Sequence, residues 1–324
     1  MPIYTYSPDQ VLLIGLRIAG FKERQIKQAK RKSNLDRFGD SYGVDPIVYC
    51  QIWKDLQTTD IPEARIDTTK PSCTIITFLQ AIRFLKKYDT EKDREGQTNR
   101  CDKFCRDWGW YFLDRVAALR GMKVRSRLAI CLDCSSLFAD TAFCLLFVQI
   151  VFPNHFSTVF TVSLDGVHCH FHEVKHPILS KNPQFYSHKF HGPGVGYQLA
   201  LSLFTSDLVY LKGPDPAGQS DMQEYQAELK DLMPDGKKIV VDGGYNDKAD
   251  KKLSRSNAND DRQLRKFKAR AKARQESFHS RVKRFESVAT TPFRHGMDRH
   301  KTCFEAICVI CQYEMELVSP LFDI

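Results

Sequence analysis

The chain has 324 residues, 42% hydrophobic and 27% charged. These are ordinary proportions for a globular protein, long enough for two domains or one large domain with an appendage. The opening MPIYTYSPDQ lacks the basic start and apolar run of a secretory signal, and eleven cysteines without such a signal argue against a disulfide framework. The net charge of +9 is unevenly placed: residues 248–284 carry fourteen Lys/Arg against four acids, and KERQIKQAKRK (22–32) is a second, smaller basic run. Localised positive charge favours a polyanion, most often nucleic acid, with a solvated lysine-rich helix face as the plainer alternative. A membrane-surface role is not expected, because no lipidation signal accompanies the charge.

The first 120 residues read as helical. Ser7-Pro8-Asp9-Gln10 is a helix start, with a serine cap, proline at the first position and Gln10 reaching back. Val11, Ile14 and Ile18 share a face, and Gly20 ends the helix. Asp45-Pro46 opens a second helix carrying Val48, Ile52, Trp53 and Leu56; residues 73–88 make a third and residues 102–119 a fourth, closed by Gly121. Helices beside a basic run suit a helix-turn-helix module, or equally a plain helical support. The span 125–150 is apolar and cysteine-rich, but Arg125, Arg127, Asp133 and Asp140 leave no clean membrane-length stretch within it.

From 160 onward the pattern changes to FTVSLD (160–165), VHCHFHEV (167–174) and YQLALSLF (197–204), all strand-like. An amphipathic helix fits 220–232, KKIVVD (237–242) reads as a buried strand, a long helix spans about 260–287, and a last apolar helix covers 303–317. The fold class is therefore α/β, a mixed sheet flanked by helices and preceded by an N-terminal helical domain. The boundaries drawn are 1–121 helical, 122–154 an atypical insertion or linker, and 155–324 the sheet domain.

Two strand-like runs stop in aspartate plus glycine, SLDG (163–166) and VVDGGY (240–245). A glycine there lets the backbone turn and leaves the acid at the sheet edge. Asp165 and Asp242 could then share a hard cation such as Mg²⁺, although each Asp-Gly alone is more often an ordinary turn. The long helix offers a third acid. Its apolar stripe is Leu264, Phe267, Ala271, Phe278, Val282 and Phe285, and Glu276 lies about 150° from it on a face with Arg265, Lys272, His279 and Lys283. A lone glutamate on such a face is usually a charge partner. Asp221 reads first as an N-terminal helix carboxylate, with metal ligation as the lesser alternative. His168, His170 and His172 share a strand face, for packing or phosphate contact. Cys131/Cys134 and the His295, His300, Cys303 group have zinc-like spacing, with core packing the plainer reading.

Six stretches, in order, resemble the Harbinger-type transposases with a DDE endonuclease domain and their domesticated relatives: SLDGVHCHFHEVKHP (163–177), SHKFHGPGVGYQLALSL (187–203), KGPDPAGQSDM (212–222), VVDGGY (240–245), KARQESFHSRVKRF (272–285) and FRHGMDRHKTCFEAICVICQ (293–312). The resemblance implies an RNase H-like fold and a catalytic, metal-binding triad of Asp165, Asp242 and Glu276, separated by 77 and 34 residues. It implies Mg²⁺ or Mn²⁺, two ions together, cutting and joining DNA phosphodiesters, and a nuclear location. Lys272, Arg274, Arg281 and Lys283 would contact the DNA backbone. End recognition would need the N-terminal helices or a separate DNA-binding partner protein, and a homo-oligomer is compatible with the family. The alternative is a domesticated DNA-binding protein that no longer cuts. Joining MKV directly to IVFPNHFSTVFTVSLDG restores the family's spacing, so residues 125–149 read as an insertion or as a retained intron translated in frame.

Overall fold

The computed structural model describes residues 3–125, 159–172, 182–247, 249–289 and 292–324. Most of the expected insertion (126–149) and the Cys131/Cys134 pair lie outside the described residues. Along the chain run α1 (Pro8–Ile18), α2 (Glu23–Gln28), α3 (Arg31–Tyr42), α4 (Pro46–Thr58), α5 (Ile75–Lys87), α6 (Glu91–Thr98) and α7 (Asp102–Ala118). Then come β1 (Phe160–His170), β2 (Tyr186–Ser187), β3 (Gly192–Ser202), β4 (Leu208–Pro216), α8 (Asp221–Ala227), α9 (Leu229–Leu232), β5 (Lys238–Val240), β6 (Leu253–Ser254), α10 (Arg262–Val282) and α11 (Met297–Leu317). Among the described residues the protein is thus mixed α/β, eleven helices and one six-stranded sheet, with a helical N-terminal region.

The chain divides into two compact units: Met1–Gly121 with Arg281–Pro320, and Met122–Ser280 with Leu321–Ile324. The break after Gly121 falls where the composition changes. Residues Arg281–Pro320 depart from the expected 155–324 domain by joining the N-terminal helices. The reason lies in α11, which is buried continuously from Ala306 to Met315 and so needs cover on every side. Helices α4 and α7 provide that cover.

In the helical unit, α1 starts with the expected capping box of Ser7 and Gln10. Its buried face is Val11, Leu12, Gly15 and Leu16 rather than the face of Ile14 and Ile18, which are only half-buried. Apolar residues surround this helix, so periodicity does not choose a face. Gly15 does, because a Cβ there would collide with the Phe38 ring, and the Tyr42 hydroxyl donates to its carbonyl at 2.9 Å. Asp45 caps α4 by accepting from the Ile47 N–H at 3.0 Å. Trp53, Phe78 and Phe112 then meet in a buried cluster with ring centres 5.6–6.2 Å apart. The basic run 22–32 forms α2 and the start of α3.

In the sheet unit the strand order is β2-β3-β1-β5-β6, with β4 also pairing β3. Strands β1, β3 and β4 pair antiparallel, whereas β5 runs parallel to β1 and β6 parallel to β5. One sheet face, with Val162, Leu164, Ala200, Ile239 and Val241, packs on Tyr225 and Leu229 of the short helices α8 and α9. The other, with Phe160, Leu203 and Val240, packs on Phe267 and Ala271 of α10. The helix expected over 220–232 is thus broken into two at Glu228. Over the described residues the expected strands 160–165 and 167–174 join into one strand, β1, which runs through Asp165-Gly166 to His170 because β3 pairs with it from Val162 onward. Asp165 is therefore not at a strand end, which corrects the turn reading of SLDG.

Candidate functional site

Register explains how two distant acids meet. Ser163 of β1 pairs with Val240 of β5, and β5 ends there while β1 continues. Asp165 and Asp242 each follow this pair by two residues, so they stand at one level where the parallel pairing stops. The Asp165 carboxylate is mostly buried and accepts the Gly166 N–H at 2.8 Å. Its pKa is pushed up to about 6, first by burial and then by the neighbouring charges of Asp242 and Asp221; the Gly166 hydrogen bond and Lys189 pull the other way.

Asp221 belongs to the same cluster. It opens α8, and Ser220 caps that helix. A Cβ on Gly166 would collide with the Asp221 carboxylate, so the missing side chain is what admits this third acid. A Cβ on Gly244 would lie 3.1 Å from Asp242 Oδ1 and 3.3 Å from Asp221 Oδ2, so the two carboxylates flank that glycine. Burial raises the Asp221 pKa, and Asp242 adds to the rise. Glu224, one turn further along α8 and 2% exposed, is pushed up to about 8 by burial and by Asp215 and Asp221. Tyr245 forms the floor. It is fully buried, its hydroxyl receives Gln198 Nε2 at 3.3 Å, and its pKa is raised first by burial and then by Asp221, Asp165, Glu224 and Asp242. Four acids from β1, α8 and the end of β5 thus converge around one buried ring.

Helix α10 is pinned beside this cluster. Gln275, 2% exposed, donates from Nε2 to the carbonyls of Ser163 at 2.9 Å and Leu199 at 3.0 Å. His279, also buried, brings Nδ1 within 3.7 Å of Asp165 Oδ2. Glu276 is exposed and lies three residues before His279, hence about one turn away on the same helix side. The structure therefore brings Asp165 and Asp242 together, while among the described residues Glu276 makes no contact with either. Nor, among those residues, do three or more His, Cys, Asp or Glu side chains form a group arranged to hold a metal ion.

The four cations expected to face DNA differ from one another. Lys272 is half-buried and Lys283 exposed. Arg281 donates to the Ser319 carbonyl at 2.6 Å and approaches Glu314 at 3.7 Å. Arg274 departs from the expectation. It is 2% exposed, its guanidinium donates to the carbonyls of Phe322, Ser202 and Thr205, and burial pushes its pKa down to about 10. Both terminal nitrogens are engaged inside the unit, so it serves packing.

The alternating histidines also serve structure. His168 Nδ1 lies 3.0 Å from Ser187 Oγ, and the His170 ring rests on Phe190. In the helical unit His295 packs against Phe84, Trp110 and Phe293, and His300, fully buried, meets Phe293 edge-on. Sequence reasoning gave Asp221 a helix-starting role and did not single out Glu224, Tyr245 or Lys189. The signal that could have found Tyr245 is its place in VVDGGY, directly after the second aspartate. No protein-family model, curated protein or solved structure matches the chain.

Proposed function

We propose that the sheet unit is an RNase H-like, divalent-metal-dependent DNA nuclease of Harbinger-type transposase ancestry. The observation that carries this reading is the shared level of Asp165, on β1, and Asp242, two residues past the end of the neighbouring parallel β5, with Asp221 pressed in beside them. The strand order supports it as well, because an antiparallel β4-β3-β1 meander followed by parallel β5 and β6 is an RNase H-like arrangement.

The residues fit a hard cation. Carboxylates supply the oxygen donors that Mg²⁺ and Mn²⁺ prefer, and their mutual repulsion is what a bound cation relieves. Asp165 and Asp242 would hold it, Asp221 lies within the same cluster, and Glu276 would complete the set. Such ions, when bound, lower the pKa of water and stabilise charge on a phosphodiester during hydrolysis or strand transfer. The protein's own part is positional. Pairing of β1 with β3 at Asp165, and with β5 up to Ser163, fixes the Asp165 backbone, the Gly166 amide holds one carboxylate oxygen, and His279 faces the other. Gln275 locks α10 to the same strands, which sets the height of Glu276. Lys272 is the cation of this helix best suited to DNA phosphates, and Lys283, just past the helix end, is exposed. The exposed basic side chains of α2 and α3 suit end recognition, alone or with a separate DNA-binding protein. DNA as substrate would make the nucleus the place of action.

The exposure of Glu276 favours a second reading, a DNA-binding descendant that no longer cuts. Plasmid nicking with Mg²⁺ or Mn²⁺ separates the two. Nicking that disappears in Asp165→Asn supports the nuclease; salt-sensitive DNA binding without nicking supports the second reading.

A further inference from the structure

Lys189 lies in the turn between β2 and β3, and that turn is clamped from both sides. Tyr186 and Ser187 pair with Pro193 and Gly192. Ser187 is fully buried; its Oγ accepts the Lys189 N–H at 3.2 Å and lies 3.0 Å from His168 Nδ1 on β1. On the other side the Phe190 ring packs on His170 and occupies space that a Cβ on Gly194 would take. A short turn held this way carries its lysine to a defined place.

That place is the rim of the acidic cluster. The Lys189 charge acts on Asp165, Asp221 and Glu224, acids from two different elements. Yet Lys189 is exposed, and among the described residues its ammonium forms no hydrogen bond and no ion pair. Lysines with a structural task in this unit behave otherwise: Lys268 closes on Asp260 at 2.9 Å and Lys230 on Asp250 at 3.2 Å. A cluster of carboxylates repels a DNA strand. A cation standing off at its rim offsets that repulsion and keeps its donors available to a phosphate oxygen, a task lysine performs as a compact point charge.

We infer that Lys189 is a phosphate anchor, holding one backbone phosphate of a DNA strand at the edge of the acidic cluster. The inference rests on the nuclease reading and adds a substrate contact to it. The test is binding of a short labelled DNA duplex to the full chain in EDTA across a salt series, for wild type, Lys189→Ala, Lys189→Gln, Lys189→Arg and Lys103→Ala, the last an exposed lysine of the helical unit. Losing one phosphate contact lowers the slope of log affinity against log salt by about 0.9. The expected result is that drop in Lys189→Ala and Lys189→Gln, with the wild-type slope in Lys189→Arg and Lys103→Ala. An unchanged slope in both neutral Lys189 variants, or an equal drop in Lys103→Ala, overturns the anchor while leaving the nuclease reading intact. Wild type that binds DNA without salt dependence overturns the underlying reading as well.

Discussion

The two units treat charge differently. In the helical unit, charges meet partners: Arg83 pairs with Asp89 at 2.9 Å, Arg299 with Asp114 at 3.1 Å, and Arg284 and Arg120 close on Glu314 and Glu305. In the sheet unit Asp165, Asp221 and Glu224 crowd together beside Asp242, and the carboxyl groups of those three are raised first by burial and then by neighbouring acids. Elsewhere the sheet unit also pairs its charges, Lys268 with Asp260 and Lys230 with Asp250, so the crowding of like charges is confined to this one cluster, as at sites that hold perturbed groups for function. The helical unit reads as a scaffold and the acidic edge as a site.

The largest effect that would sharpen this contrast is on activity. Asp165→Asn and Asp242→Asn should each lower plasmid nicking by on the order of 10³-fold, roughly 4 kcal/mol of barrier. Arg299→Ala in the helical unit should leave nicking unchanged. Equal losses in all three would erase the division between scaffold and site.

Stability should move the other way. An acid whose folded pKa is raised costs nothing below its ordinary value and its full amount once both states are ionised. Stability without metal should therefore fall as pH climbs from 3.8 through about 6, by on the order of 3 kcal/mol from Asp165 alone. Asp165→Asn keeps the oxygen that accepts the Gly166 N–H and removes the charge. In urea unfolding at pH 8 it should therefore be more stable than wild type by a similar amount.

Smaller effects test the scaffold. Arg284→Ala leaves a mostly buried Glu314 carboxylate short of a partner and should cost about 1–2 kcal/mol, between exposed and buried ion pairs. Gln275→Ala removes two hydrogen bonds to buried carbonyls. It should cost about 1–2 kcal/mol in thermal unfolding and reduce nicking less than Asp165→Asn does.

What was legible in the sequence follows from how local each signal is. Asp45-Pro46 and Ser7-Pro8 announce helix starts because caps are short-range chemistry, and both caps form. KKIVVD announces a buried strand by its apolar run, and β5 lies there. Helix α6, EKDREGQT, has no apolar period, so its only signal is the Thr90/Asp93 capping box. Strand β4 ends in LKGPDP, whose glycine and prolines read as a turn. Asp165 and Asp242 were legible as acids after strand-like runs. Asp221 was legible only as a lesser metal-ligand candidate, because its place at a helix start was explanation enough until the space above Gly166 became visible. Arg274 sits in a basic run and looks like its neighbours; only burial reveals that its guanidinium is turned inward.

If the crowded acids at the end of β5 are a divalent-cation site, Mn²⁺ stabilises the fold through them, and thermal unfolding at pH 8 in a Mn²⁺ series reads this out. Wild-type Tm should rise with Mn²⁺, whereas Asp165→Asn, which already starts higher, should show no rise. A wild type indifferent to Mn²⁺, or one whose response Asp165→Asn reproduces, would contradict it.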